Sequence, residues 1–76
     1  MENKVVCEAC YDVGDGIYSV NLIEGSFIAC RHEAHAHAKK HGYELKYVKE
    51  IPDWRVAECR AKGMPLVKAS EPVKSF

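Results

Sequence analysis

Four cysteines and four histidines are the residues in this chain of 76 best equipped for chemistry. Cys7 and Cys10 form a Cys-x2-Cys pair. Cys30 and His32 form a Cys-x-His pair after nineteen intervening residues, and His35, His37 and His41 follow. Thiolate and imidazole are good zinc ligands, and two such pairs brought together by a hairpin can close a tetrahedral site. On that reading Cys7, Cys10, Cys30 and His32 hold one zinc ion in a small zinc-stabilised, zinc-ribbon-like module. The competing reading is packed thiols and no cofactor, and it is the preferred one. The second pair departs from the usual Cys-x2-Cys or Cys-x2-His spacing. If residues 4–11 form a regular strand, Cys7 and Cys10 point to opposite faces. A redox role for the pair calls for a strand-to-helix junction, where a helix dipole lowers the thiol pKa; here the pair lies in a β-rich stretch before a turn. His37 and His41, four apart, suit a shared metal but fall on the helix stripe expected to meet the core.

No GxSxG, phosphate loop, HExxH or dinucleotide fingerprint occurs, so no complete catalytic set is present and the chain is not expected to be an enzyme. Asp12 and Asp15 read as turn formers instead of an acid/base pair. Trp54, Tyr43 and Tyr47 read as core residues from their spacing.

The elements that would position these groups follow from periodicity. Residues 4–11 alternate as a strand with Val5, Cys7, Ala9 and Tyr11 on one face. Residues 12–16, Asp-Val-Gly-Asp-Gly, signal a turn, and residues 17–23 a second strand with Tyr18, Val20 and Leu22 together. A tight turn at Glu24-Gly25 then predicts a third strand through Ala29, with Leu22 opposite Phe27 in a buried pair. A helix from Ser26 as N-cap is the alternative start. Residues 32–41 read as a helix ended by Gly42, with Ala34, His37, Ala38 and His41 as its core stripe. Residues 43–51 alternate as a strand with Tyr43, Leu45, Tyr47 and Ile51 on one side. Asp53 caps a second helix with Trp54, Ala57 and Ala61 buried, and Gly63 ends it. Residues 64–67 suit a short extended piece.

The expected fold is therefore α+β, a small two-layer sandwich in the order β-β-β-α-β-α. Its sheet is mostly antiparallel, with helices on one face and strand 43–51 parallel to a neighbour. One domain is expected over residues 1–69, with a mobile C-terminal tail over 70–76.

Eleven basic and eleven acidic residues leave no net charge, which argues against a dedicated nucleic-acid binder. The charge is divided: residues 1–38 carry two basic and six acidic groups, residues 39–76 nine basic and five acidic. No secretory signal and no membrane-length apolar run occurs, so a cytoplasmic protein with no membrane partner is expected. The function expected is a non-catalytic binding or accessory module that acts through a protein–protein surface or by self-association. The basic segment of Lys39, Lys40, Lys46 and Lys49, with the exposed sheet face, is its candidate interaction surface.

Overall fold

The computed structural model describes residues 4–69. Two β-rich runs flank Gly14-Asp15-Gly16 and form a long antiparallel hairpin, β1 (Val5–Gly14) and β2 (Ile17–Gly25). Asp15 and Gly16 take left-handed φ values of 56° and 73°, as a two-residue hairpin turn requires if its twist is to match the strands. The Gly14 N–H donates to the Asp12 carboxylate at 2.8 Å, closing the turn from the side.

The expected third strand is absent. The chain turns into α1 (Phe27–His41) immediately after β2. Ser26 is the N-cap, its hydroxyl accepting from the Ala29 N–H at 3.2 Å. Gly25 lies where a Cβ would come within 3.1 Å of the Ala69 Cβ, so this glycine serves a close strand contact and not a hairpin. The helix conformation also aligns Cys30, Ala34 and Ala38 at four-residue spacing, and all three are buried. Phe27 is 41 % exposed on the helix, and the expected Leu22–Phe27 pair does not form. At the other end Gly42 is left-handed (φ 73°), and the Tyr43 N–H bonds the Ala38 carbonyl at 2.8 Å. This closes the helix in the usual glycine manner.

β3 (Glu44–Ile51), α2 (Asp53–Ala61) and β4 (Leu66–Lys68) complete an α+β fold in the order β-β-α-β-α-β. The strands form one mixed sheet in the order β3-β1-β2-β4. β3 runs antiparallel to β1, and the single parallel pair is β2 with β4. The parallel neighbour expected for residues 43–51 belongs instead to the three-residue strand near the end. The segment 70–76, expected to be a mobile tail, lies outside the described residues. No helix among the described residues is long and apolar enough to cross a membrane.

The two helices pack on opposite faces, not on one. Cys7, Ala9, Tyr11 and Ile23 meet Cys30, Ala34 and Ala38 of α1. The alternate residues Val6, Leu22, Ile51 and Leu66 meet Val56 and Cys59 of α2. Trp54 and Ala57 are therefore turned outward, Trp54 by 69 %. Their spacing marks a stripe, but the helix rolls to bury Val56 and Cys59 instead. Pro52, not Asp53, is the N-cap, and Asp53 sits in the first turn. β3 carries a bulge where its register against β1 shifts: Cys10 is opposite Tyr47, but Tyr11 is opposite Leu45. Tyr43 and Leu45 consequently join the α1 side, while Tyr47 and Ile51 lie on the other. The single alternating face expected for this strand is split.

These placements give contrasting expectations for two apolar residues. Leu22 is fully buried, so Leu22→Ala is expected to cost about 2–5 kcal/mol. Phe27→Ala, at a half-exposed site, is expected to cost about 1 kcal/mol or less. Urea denaturation of both variants measures this; equal losses would contradict the helical placement of Phe27.

Candidate functional site

The four zinc-ligand candidates do not come together. β1 holds an unbroken register with β2 from Val5 to Asp12, so Cys7 and Cys10, three apart, project to opposite faces. Cys7 faces α1 and neighbours Cys30, whose thiol donates to the Ile23 carbonyl at 3.3 Å. Cys10 lies on the other face, opposite Tyr47. His32 is exposed on the outer side of α1, beside Ile28, Arg31 and His35. Among the described residues no group of three or more His, Cys, Asp or Glu is arranged to hold a metal. Burial, then the adjacent Cys30, push the Cys7 thiol up to about 12. That is the reverse of what a thiol nucleophile requires.

His37 and His41 form a ring cluster with Tyr11 and Tyr43 at the end of α1. His37 lies 4.8 Å from the Tyr11 ring and 4.5 Å from His41, and His41 stacks on Tyr43 at 5.2 Å. His37 is half-buried, whereas His41, expected to border the core with it, is exposed. Burial holds the His37 imidazole below its usual value, and His41 and Lys40 add to that; Glu33 opposes it. The Tyr11 hydroxyl donates to the Asn21 side-chain oxygen at 3.0 Å inside the core. Burial pushes this phenol upward.

A polar network that sequence reasoning did not single out crosses the α2 face of the sheet. Glu8 is buried at the centre of β1, 4 % exposed. Its carboxylate accepts from the Tyr47 hydroxyl at 2.6 Å, and the Arg55 guanidinium lies 3.5 Å from its other oxygen. Arg55 also pairs with Glu58 at 2.8 Å. The hydrogen bond to Glu8 and burial raise the Tyr47 phenol well above its ordinary value. Both carboxylate oxygens are thus engaged, as a buried charge requires. The signal in the sequence is an acidic residue flanked by Cys7 and Ala9 in an apolar run.

The candidate interaction lysines fall in two places. Lys39 and Lys40 occupy the last turn of α1, where a cation complements the carbonyl end of a helix. Lys46 and Lys49 belong to β3, which lies at one edge of the sheet. Lys46 pairs with Glu44 at 3.8 Å, and the Lys49 ammonium sits 5.3 Å from the centre of the Tyr47 ring. Beside this edge, Phe27, Arg31 and His35 of α1 and residues 45–48 of β3 line an open groove of about 320 Å³. Phe27, Arg31 and His35 were not among the residues expected to form a surface. Phe27 was expected in a buried pair with Leu22, so its exposure of 41 % was not legible from its spacing.

Two measurements follow. Tyr47→Phe removes the donor to a buried carboxylate oxygen and is expected to cost about 1–3 kcal/mol in urea denaturation; an unchanged midpoint would mean that the bond contributes nothing. For His37, the folded pKa lies below the usual 6.5, so the unfolded chain binds more protons as the pH falls. Stability should decline on acidification from the unfolded-state value until the folded value is passed. His37→Gln is expected to flatten the slope of unfolding free energy between about pH 7 and about pH 5, and an unaltered slope would place the ring in solvent.

No protein-family model matches this chain, and neither a curated protein nor a solved structure matches it.

Proposed function

We propose that this chain is a non-catalytic binding module that recognises a protein partner through the β3 edge and the adjoining groove. The observation that carries this reading is the combination found there. An eight-residue strand lies at the sheet edge, and an edge strand presents unpaired N–H and carbonyl groups along its outer side. Beside it lie half-exposed Phe27 and Tyr47, at 41 % and 40 %, with Arg31 and His35 in the same groove. Backbone groups that give affinity, next to side-chain pockets that give selectivity, are the ingredients of strand-addition recognition. Lys46 and Lys49 belong to this surface, and Lys39 and Lys40 lie farther along α1. Burial pushes the Cys7 thiol up to about 12, which speaks against its use as a nucleophile. Buried thiols at Cys7, Cys10 and Cys59 also suit a reducing compartment such as the cytoplasm.

Quantitative affinity capture tests the surface, using tagged wild type and two variants, Phe27→Asp with Arg31→Glu in the groove and Trp54→Asp on α2. The groove variant should lose the captured partner, whether another protein or a second copy, while keeping the wild-type circular dichroism spectrum. The Trp54 variant should retain it. Equal capture by all three proteins would remove the groove as the binding surface.

A further inference from the structure

The outer side of β3 is a strand whose charges select one pairing with itself. β3 reads Glu44-Leu45-Lys46-Tyr47-Val48-Lys49-Glu50-Ile51. Lysines on an edge strand ordinarily deter pairing with other chains. The deterrence depends on what each lysine would face. Two copies of one strand that join antiparallel across a two-fold axis perpendicular to the sheet place one residue opposite itself, and every other pair shares a face. Each register can then be judged by its pairs.

An axis at Lys49 sets Lys49 against Lys49, and an axis at Glu50 sets two carboxylates together. An axis at Lys46 sets two ammonium groups together. Like charges directly opposite are destabilising. An axis at Tyr47 places Lys49 against Leu45, a charge against an apolar side chain on the opposite face. An axis at Leu45 would match Glu44 with Lys46, but it carries the pairing across the bulge. The bulge turns Tyr43 and Tyr47, which would have to face each other, to opposite sides. An axis at Val48 sets no like charges together over residues 46–50, and its one mismatched pair, Leu45 against Ile51 on opposite faces, falls beyond that run, past the bulge. It sets Val48 against Val48 on the α1 side, and Lys46, which lines the groove, against Glu50, which lies opposite Cys7. On the other side it sets Tyr47 against Lys49, a cation against the kind of ring that Lys49 already approaches within its own chain.

We propose that β3 pairs antiparallel with β3 of a second copy about a two-fold axis at Val48, joining the two four-stranded sheets into one. The proposal rests on the reading of the β3 edge as the binding surface and names its partner. The absence of net charge removes the long-range repulsion that would oppose such a dimer. The charges of β3 reject the registers centred on Lys46, Lys49 and Glu50, where like charges would meet. In the chosen register the same charges become two symmetric ion pairs and two cation–ring contacts.

Sedimentation velocity over a concentration series tests this with wild type, Lys46→Glu, Glu50→Lys and the double variant carrying both changes. Lys46 and Glu50 are exposed, so none of the three is expected to disturb the fold. Wild type should show a reversible monomer–dimer equilibrium. Each single variant should weaken the dimer by at least about tenfold through like-charge pairs, and the double variant should recover it, because the ion pair is restored with its sign reversed. Such recovery within one sequence is expected only if the partner is a copy paired in this register. A monomeric wild type at every concentration overturns self-pairing; the edge reading then stands or falls on the capture experiment, where loss of a different protein from the groove variant would uphold it. A dimer equally strong in all four proteins forms elsewhere and overturns the pairing of β3.

Discussion

β1 is the constraint on which the rest of this structure depends. It lies between β2 and β3, with α1 over one face and α2 over part of the other. Its five consecutive residues from Cys7 to Tyr11 are all buried. A strand in that position has no solvent side to which it can turn a polar group. Small or apolar residues satisfy it at four of the five positions, with the Tyr11 hydroxyl bonded internally to Asn21. Glu8 satisfies it only because Tyr47 and Arg55 supply donors from β3 and α2. The same burial takes the Cys-x2-Cys pair out of metal chemistry, since adjacent faces of a covered strand are separated by the strand itself. It also raises the Cys7 thiol.

The identity of the residues facing β1 follows from the space available. Cys30, Ala34 and Ala38 present a small-residue seam to Cys7 and Ala9, so α1 can lie close to the sheet. The larger volumes are placed around this seam, in Ile23 and Tyr11 on the α1 side and Leu22 on the other. A core built this way contains few bulky side chains. Each is correspondingly important in a domain of this size, where total stability is only of the order of several kcal/mol.

Much of this was legible in the chain. Alternation located β1 and β2, Asp15-Gly16 located their turn, and Gly42 located the end of α1. The alanine stripe identified the buried side of that helix. What was not legible depended on a choice between local signals of similar strength. Glu24-Gly25-Ser26 reads first as a hairpin turn, with a strand end followed by an N-cap as the alternative. The decision came from tertiary packing: Gly25 against Ala69, and Cys30, Ala34 and Ala38 against the sheet. Trp54 was misplaced for a related reason. Its alanine-lined stripe looked buried, but β4 brings Leu66 beside Leu22, and α2 turns Val56 and Cys59 toward that pair. The Glu8 network was missed because neither Tyr47 nor Arg55 is close to Glu8 in sequence.

The bulge in β3 connects this core to the candidate surface. Without it, Tyr43, Leu45 and Tyr47 would share one face, and Tyr47 could not reach Glu8. With it, Leu45 stays in the α1 core and Tyr47 crosses to the other side to donate to the buried carboxylate. The aromatic ring is then held at the sheet edge by a hydrogen bond at its far end, with Lys49 beside it. The residue that satisfies the interior charge therefore also holds its own ring in place on the edge strand. That coupling ties the position of a half-exposed ring on β3 to a carboxylate buried at the centre of β1.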